Sequence, residues 1–197
     1  MRARKNDVTA TSFWKVPVAI SAAATVTVTS VATPGVPREP TAPADLFPPV
    51  RENLPLVFQA RPVSVRVEED CPDANVDPVL ALEILVNLIE NAHRVSPPNA
   101  PLELTARTHP LDPAMVRLEV LDRGPGVPAG IGDANGNLLA GATSDVAQRG
   151  LGLEIARSLA AANGGSIGIT PRPGGGAIAR LDVPSAPLPS IAATEPS

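Results

Sequence analysis

The sequence predicts an α+β domain, a two-layer sandwich in which helices cover one face of a mixed β-sheet. Short segments alternate apolar and polar residues, as half-buried strands do, and two longer segments space their apolar residues as helices do. Along the chain these segments follow the order strand, helix, two strands, long loop, helix, two strands. Such an order favours helices segregated to one side of the sheet.

The composition indicates one domain with tails. A chain of 197 residues is long enough for one core and too short for two large ones. The net charge of -4, the absence of a long basic run and the presence of only three Phe, one Trp and no Tyr argue against a nucleic-acid surface. A single cysteine, Cys71, excludes an internal disulfide and favours a reducing compartment.

Residues 1–44 are predicted to be a poorly ordered leader that ends in a proline-spaced linker over 34–43. A signal-peptide core or short membrane anchor is an alternative, because basic residues precede the apolar stretch 16–33. Six Ser and Thr residues within that stretch disfavour a stable membrane span. At the other end, residues 186–197 are predicted to form a disordered tail.

The domain is predicted over residues 45–185, and its first half contains one helix with a clear start. Residues 44–60 are apolar but contain three prolines, which indicates a short or interrupted helix. Alternating valines over 63–67 predict a half-buried strand. Asp77 followed by Pro78 predicts the start of a helix that runs to about Arg94, because aspartate caps free N–H groups and proline suits the first helical position.

The second half of the domain contains four strand signals and one helix signal. Segments 102–108 and 115–122 alternate and predict neighbouring strands. The glycine-rich segment 124–150 is longer than ordinary connections, which indicates a functional or mobile loop. Helical spacing returns over 151–163 and ends at two glycines. Segments 166–170 and 176–184 then predict a hairpin through the turn "PRPGGG".

Polar residues of the predicted helix 78–94 share one face, since they are spaced i, i+4, i+7, i+8 and i+11. This polar stripe consists of Glu83, Asn87, Glu90, Asn91 and Arg94. A solvated surface is the simple alternative. Asparagine, however, is a poor former of helix interiors, costing up to about 0.7 kcal/mol relative to alanine. Its amide oxygen also suits Mg²⁺, so the stripe is interpreted as a ligand face.

Two glycine-containing segments add to this face. Asp122 ends a strand and is followed by Gly124 and Gly126, a pattern that alone is typical of a turn. Gly150 and Gly152 stand at the start of a helix, where free N–H groups favour phosphate. Neither segment is specific alone. Together with the polar stripe, in this order and at these separations, they are far more specific.

The three segments resemble the motifs of one superfamily. "LEILVNLIENAHRVSP", "VLDRGPGVP" and "RGLGLEIARSLAAANGGSIGI" resemble the N, G1 and G2 boxes of the GHKL superfamily, which includes gyrase, Hsp90, MutL and sensor kinases. Within it, the strings "NLIENA", "DRGPG" and "PGGG" most resemble sensor histidine kinases of the KdpD type. The resemblance spans residues 45–185 and implies a Bergerat-type fold that binds ATP and Mg²⁺.

The resemblance also implies roles for individual residues. Asn91 would be the Mg²⁺ ligand, Asn87 would support metal and phosphate, and Arg94 would face the phosphates, so that Asn87 and Arg94 carry the catalytic role. Asp122 would accept a hydrogen bond from the adenine amino group. The segment 127–149 would be the ATP lid. Backbone approach to base and phosphates would occur at Gly124, Gly126, Arg149, Gly150, Leu151 and Gly152.

The residue type at position 87 distinguishes the kinases of the superfamily from its hydrolases. Hydrolases of the superfamily carry a glutamate general base there, so the resemblance favours transfer of the γ-phosphoryl group to a protein side chain over hydrolysis. The two histidines, His93 and His109, lie outside any phosphoacceptor motif, and we expect both to be exposed surface residues. The acceptor would therefore be a histidine-bearing dimerisation domain in trans, with a response regulator as a further partner, in the cytoplasm.

Departures from the family pattern leave two alternatives open. The lid lacks the family's phenylalanine, Gln148 replaces the first G2 glycine, and Val95 replaces a frequent tyrosine. These changes keep open a degenerate module that binds nucleotide without turnover. A stand-alone serine kinase of the anti-sigma-factor type is the other alternative, although the KdpD-like strings disfavour it.

Overall fold

The computed structural model describes residues 37–55, 61–127, 136–137 and 150–187. Its helices are α1 (Pro43–Asn53), α2 (Pro78–Val95) and α3 (Gly150–Ala162). Its strands are β1 (Glu39–Thr41), β2 (Val63–Val67), β3 (Ala74–Val76), β4 (Leu102–Thr108), β5 (Met115–Leu121), β6 (Ser166–Pro171) and β7 (Ala177–Pro184). In this part of the chain no helix is long and apolar enough to cross a membrane.

The described strands form a five-stranded sheet in the order β2-β4-β5-β7-β6 and a small β1-β3 pair. Strand β2 pairs with β4 in parallel, starting at Val63 opposite Leu102, whereas the other neighbours in the large sheet are antiparallel. The predicted mixed sheet is therefore confirmed, as are the neighbouring strands β4 and β5 and the β6-β7 hairpin.

One face of the sheet and the apolar side of α2 form the core. Alternation along β4 and β5 directs every second side chain to this face. Each fully buried large aliphatic side chain contributes about 1.5 to 3 kcal/mol. The largest fully buried side chains include Ile84, Leu85, Leu88, Leu102, Leu118 and Leu181.

The opposite face of the sheet carries a network of ion pairs. Arg107 and Arg117 lie directly across from each other on β4 and β5, a like-charge pairing that is unfavourable alone. Glu119 accepts hydrogen bonds from Arg107 at 3.1 and 3.3 Å, and Asp182 accepts two from Arg117 at 2.6 and 2.9 Å. These two carboxylates offset the repulsion and fix the arginines on the face away from the helices.

Helix α2 begins as the sequence predicted. Asp77 Oδ1 accepts hydrogen bonds from Val79 N (2.9 Å) and Leu80 N (3.3 Å), and Pro78 occupies the first turn. The backbone N–H of Asp77 donates to Asn163 Oδ1 (2.8 Å), just after the end of α3. This hydrogen bond joins the start of α2 to the end of α3 and helps to fix the position of one helix relative to the other.

Two short strands differ from the sequence-based expectations. The short strands β1 and β3 were not expected, and β1 lies upstream of the predicted domain start at residue 45. Of the two alternatives for the first helix, short or interrupted, the structure shows the short one: α1 has 11 residues and is continuous through Pro48 and Pro49. The division of the chain at 44 and 185 remains a prediction, because residues 1–36 of the proposed leader and 188–197 of the proposed tail lie outside the described residues.

Candidate nucleotide-binding site

The polar stripe of α2 lies on the side of the helix away from its core face. Its buried residues are Ala81, Ile84, Leu85, Leu88, Ile89 and Ala92. Glu83, Asn87, Glu90 and Asn91 are half-buried, and Arg94 is exposed. The intermediate burial of the two asparagines shows that the stripe is covered in part by another element, which is α3.

Asn87 and Asn91 both face the start of α3. Asn87 Nδ2 donates to Glu83 O (2.9 Å) one turn earlier, which leaves its amide oxygen on the side of Gly152. A Cβ placed on Gly152 would lie 3.2 Å from Asn87 Oδ1 and 3.7 Å from Asn91 Nδ2. Glycine at this position therefore allows the amides of α2 to approach the backbone of the first turn of α3, where Gly150 and Leu151 also lie.

Arg94 is bonded to the predicted metal ligand. Its NH1 donates to Asn91 Oδ1 at 3.2 Å, on an exposed part of the helix surface. Because one turn of helix separates the two residues, the guanidinium and the amide occupy the same end of the stripe. A positive charge and a neutral oxygen donor thus stand side by side, an arrangement that can hold a phosphate and its cation.

Asp122 is a buried aspartate, 5% exposed, placed just after β5. Its Oδ1 accepts hydrogen bonds from Gly124 N (2.7 Å) and Ala177 N (3.1 Å), and its own N–H donates to Ala177 O (2.9 Å). Oδ2 has no hydrogen-bond partner among the described residues. The side chain is therefore locked in place while one carboxylate oxygen is left available.

The end of α2 contacts the segment around Asp122. A Cβ on Gly124 would lie 2.8 Å from Val95 Cγ2 and 3.1 Å from Asp122 Oδ1, too close for any other residue to fit without a shift. Ser96 Oγ accepts a hydrogen bond from Arg123 N (3.3 Å). Helix α2 therefore contacts Gly152 through its middle and the Asp122 segment through its end.

Gly126 continues this segment with φ of 95°, a backbone conformation that side chains rarely adopt. A Cβ there would lie 3.6 Å from Gly176 O in the β6-β7 turn. In that turn Gly174, Gly175 and Gly176 all have positive φ. The predicted adenine side of the site is thus built from two glycine-rich turns in contact.

Arg172, which no sequence motif singled out, contacts this region from the β6-β7 turn. Its guanidinium donates to Asp122 O at 3.2 Å and forms an ion pair with Glu103 on β4. Only 8% of the Arg172 side chain is exposed. No pattern in the sequence indicated this contact, because an arginine beside a proline in a turn is ordinarily exposed.

The predicted lid, 127–149, is described at only three positions, Val127, Gly136 and Asn137. Ile169 N donates to Gly136 O at 2.7 Å, and Asn137 forms an isolated bridge with Gly168 on the outer edge of β6. Arg180 NH2 donates to Asn137 Oδ1 at 3.2 Å. The middle of the segment therefore meets the sheet edge. Arg149, a predicted phosphate contact, lies outside the described residues.

The expectation that both histidines are exposed was wrong, because each is half-buried. His93 Nδ1 accepts a hydrogen bond from Arg61 Nε at 2.9 Å. Burial of the imidazole, and secondarily the charge of Arg61, lower the pKa of His93. His109 Nδ1 accepts from Leu111 N (3.2 Å), and its Nε2 lies 3.8 Å from Asp182 Oδ2.

A separate apolar groove lies between α1 and β2. It has a volume of about 400 Å³ and is lined mainly by aliphatic side chains, among them Val50, Val63, Val65, Val67, Ile89 and Leu104. Glu52 is the only charged residue among its described lining. Because a triphosphate needs cationic or N–H donors, this groove does not suit a nucleotide.

The described residues contain no cluster of three or more His, Cys, Asp or Glu side chains that could hold a metal ion by themselves. A cation at the stripe would therefore depend on amide oxygens, on water and on oxygens of the ligand. Mg²⁺ is commonly bound in this way, through one or two protein oxygens together with phosphates.

Comparison with known proteins gives a family match over residues 76–187, to the family described as histidine kinase-, DNA gyrase B-, and HSP90-like ATPase. The chain is 33% identical over 136 residues to the sensor protein KdpD of Escherichia coli K12, which covers 66% of this chain and 14% of that protein. It is 33% identical over 121 residues to the C4-dicarboxylate transport sensor protein DctS of Rhodobacter capsulatus, covering 60% of this chain and 18% of that one.

Solved structures give the same picture of the fold. The nucleotide-free catalytic domain of the histidine kinase ThkA superposes with a TM-score of 0.59 at 19% identity, over 76% of this chain and 98% of that one. Full-length ShkA in complex with AMPPNP superposes with a TM-score of 0.57 at 28% identity, over 76% of this chain and 31% of that one. The predicted α+β ATP-binding fold is confirmed.

Proposed function

The chain belongs to the family of histidine kinase-, DNA gyrase B- and HSP90-like ATPases, and from this membership we propose that it is the catalytic module of a two-component sensor histidine kinase. It is homologous to the catalytic domains of sensor kinases, and it spans 14 to 18% of the length of the KdpD and DctS proteins that it matches. In our proposal it transfers the γ-phosphoryl group of Mg·ATP to a histidine of a separate acceptor domain.

One observation carries the proposal: α2 joins the two halves of the candidate site. Asn87 and Asn91 border Gly152 at the start of α3, where helix N–H groups favour phosphate. One turn further on, Val95 and Ser96 contact the segment of Asp122, whose Oδ2 is free to accept a hydrogen bond from an adenine amino group. A purine and a triphosphate have matching groups at the two ends of this surface.

Asn91 fits the role of the Mg²⁺ ligand, because its amide group lies beside the start of α3, with Nδ2 toward Gly152 and the oxygen on the exposed side. In this structure that oxygen accepts a hydrogen bond from Arg94. On binding, Asn91 would exchange this bond for the cation, and Arg94 would turn to the phosphates. The cation would neutralise developing charge on the phosphates, while the chain's own residues would bind and orient the nucleotide.

The absence of a carboxylate at position 87 supports transfer over hydrolysis. Asn87 cannot act as a general base toward water, and its Nδ2 is already engaged with Glu83 O. Glu90, on the same stripe, is half-buried but has no contact with Gly152 within 4 Å of a Cβ placed there. A positioned hydroxyl or imidazole nucleophile on another chain would then be the acceptor.

Nucleotide binding is the first test. Titration calorimetry with Mg·ATP should give saturable heat for the wild-type chain. Asp122→Asn keeps an oxygen for Gly124 N and Ala177 N but places an NH₂ group opposite the adenine amine. We expect it to weaken ATP binding by about 1 to 3 kcal/mol, since a donor then faces a donor.

The matched control is Asp112→Asn. Asp112 Oδ1 also accepts a backbone N–H, from Ala114 at 3.0 Å, but in the exposed turn between β4 and β5. Its substitution should leave ATP affinity unchanged. No heat from the wild-type chain at millimolar Mg·ATP would refute the nucleotide-binding proposal, and equal affinities of Asp122→Asn and wild type would refute the role of Asp122.

Phosphoryl transfer is the second test. The chain, labelled ATP and the isolated histidine-bearing domain of a related sensor kinase should give label on that domain, sensitive to acid as phosphohistidine is. The same domain with its histidine replaced by glutamine should stay unlabelled. Acid-stable label on serine would favour the anti-sigma-factor-type kinase, and ATP binding without any transfer would favour the degenerate module.

The proposed partners follow from this chemistry. A histidine-bearing dimerisation domain would supply the acceptor in trans, and a response regulator would receive the phosphoryl group from it. We place the module in the cytoplasm, where ATP is available. A membrane association through residues 1–44 belongs to the same proposal, and most of those residues lie outside the described part of the chain.

A further inference from the structure

We propose that Arg172 is a positioning residue for adenine recognition. Its guanidinium would hold the backbone of Asp122 so that the free carboxylate oxygen faces the adenine amino group. The inference rests on the proposed function, in which Asp122 binds the base. It adds a residue from the β6-β7 turn, 50 positions away in the chain, to the determinants of nucleotide specificity.

Arg172 connects three parts of the fold. NH1 donates to the backbone oxygen of Asp122 at 3.2 Å, and NH2 pairs with Glu103 Oε1 on β4. Its own backbone N–H donates to Gly176 O (3.0 Å) and its carbonyl accepts from Gly175 N (3.1 Å), which closes the turn. The turn therefore fixes the backbone of Arg172, and Glu103 holds its guanidinium in addition to the bond to Asp122.

The bond from Arg172 completes the set of hydrogen bonds made by Asp122. The backbone N–H and Oδ1 are bound to Ala177 and Gly124. The backbone oxygen is bound to Arg172. With these atoms engaged, Oδ2 is the one polar atom of Asp122 left without a partner in the described part of the chain. The Arg172 bond is the only one of the set made by a side chain, so it can be removed by substitution.

The type of side chain also indicates positioning. A buried ion pair is weak evidence for stability, because desolvating both charges offsets most of the attraction. Arginine, in contrast to lysine, presents several N–H donors in a rigid planar fork and can bond two acceptors at a fixed angle. Arg172 uses this fork on Asp122 and Glu103, which ties the base-facing residue to the sheet.

The test compares two ligands that differ only in the group that Asp122 would recognise. Mg·ATP and Mg·purine riboside triphosphate, which lacks the 6-amino group, are titrated into the 197-residue chain. The wild type should prefer ATP by roughly tenfold or more, the effect of one hydrogen bond to a charged group. Arg172→Lys should reduce this preference at least about threefold and leave the affinity for purine riboside triphosphate unchanged.

Arg117→Lys is the matched control. The side chain of Arg117, 11% exposed, is about as buried as that of Arg172, and it forms an ion pair with Asp182 on the same face of the sheet without contacting Asp122. This variant should lower the melting temperature without changing the ligand preference. A preference in Arg172→Lys equal to that of wild type, or equal weakening of both ligands, would show a structural role only and overturn the inference.

A second variant tests the inference in case Arg172→Lys does not fold. Arg172→Gln combined with Glu103→Gln removes this ion pair, together with the longer contact of Glu103 with the exposed Arg123 (3.7 Å), without leaving a buried charge alone. It should show the same reduced preference. If neither variant folds, Arg172 is required for the domain as a whole and the inference is refuted. A wild type without any preference for ATP would instead refute the adenine role of Asp122, which is a failure of the proposed function.

Discussion

The imidazole of His93 is a hydrogen-bond acceptor from a charged donor, Arg61. Arg61 also donates to Pro97 O (3.0 Å) and Ala100 O (2.6 Å), so it fastens the end of α2 to the segment that leads into β4. Only the neutral imidazole can accept this bond through Nδ1. The protonation state of His93 therefore affects how Arg61 holds the end of α2, where the polar stripe ends.

The lowered pKa of His93 gives the stability of the domain a pH dependence. The folded state disfavours the protonated imidazole. The stabilisation that the neutral imidazole provides is therefore complete above the unfolded pKa of about 6.5, and it is lost as the pH falls through the lower folded pKa. Wild type should therefore lose more stability than His93→Gln between about pH 7.5 and about pH 5.5. Urea unfolding at both pH values measures this, and equal losses would contradict it.

Part of the candidate site could be predicted from residue types alone. Asn87 and Asn91 stood out because asparagine is unfavourable inside a helix, and the structure places both beside Gly152. The roles of Arg172 and Arg61 could not be predicted, because they depend on acceptors brought near only by the fold. Neither partner, Asp122 O or His93 Nδ1, is a sequence neighbour.

At the scale of elements, the start of α2 depends on a buried cap. Asp77 is 3% exposed, and its carboxylate bonds two N–H groups of the first turn while Asn163 bonds its backbone. This contact joins α2 to the end of α3, the helix whose other end carries Gly152. The relative placement of the asparagines and Gly152 therefore depends in part on the cap.

Removing the cap should be costly. Asp77→Ala leaves the N–H groups of Val79 and Leu80 without their side-chain acceptor, and we expect it to lower the free energy of unfolding by about 1 to 2 kcal/mol. Asp77→Asn retains an acceptor oxygen and should lose much less. Chemical denaturation of the two variants measures the difference. Equal destabilisation would show that the charge of Asp77, and not its capping oxygen, is what α2 requires.

Elements with a regular pattern were predictable and the shortest ones were not. Helix α2 was expected from Asp77–Pro78 and from apolar spacing, and β4 and β5 from alternation. Strands β1 and β3 have three residues each, too few for any periodicity to appear. Helix α1 has two internal prolines, and its continuity depends on packing of Phe47 and Val50 into the core.

At the scale of the whole molecule, the sheet has one apolar face and one charged face. Leu118 in the middle of β5 is fully buried on the apolar face, whereas Arg117 next to it forms an ion pair on the other. Alternation in the sequence predicted the two faces. The strand order β2-β4-β5-β7-β6 could not be deduced, because it depends on how α2 carries the chain across the sheet.

Truncation on the apolar face should destabilise the whole domain. Leu118→Ala removes buried methyl groups and leaves a cavity, so we expect a loss of about 2 to 5 kcal/mol in the free energy of unfolding. Leu111→Ala is the matched control, because Leu111 is 90% exposed in the β4-β5 turn and should change stability by less than about 0.5 kcal/mol. Urea denaturation measures both, and similar losses would contradict the assignment of the core.

The pairings of β2 with β4 and of β5 with β7 bear on the order in which the sheet is assembled. Pairs β4-β5 and β6-β7 are closed by short turns, whereas Val63 lies 39 positions from its partner Leu102 and Leu121 lies 57 positions from its partner Ile178. Loop-closure entropy makes such a non-local contact late. We therefore expect the two hairpins to form first and the two non-local pairings to follow, with β5-β7 bringing the hairpins together and β2 adding at the edge of the sheet.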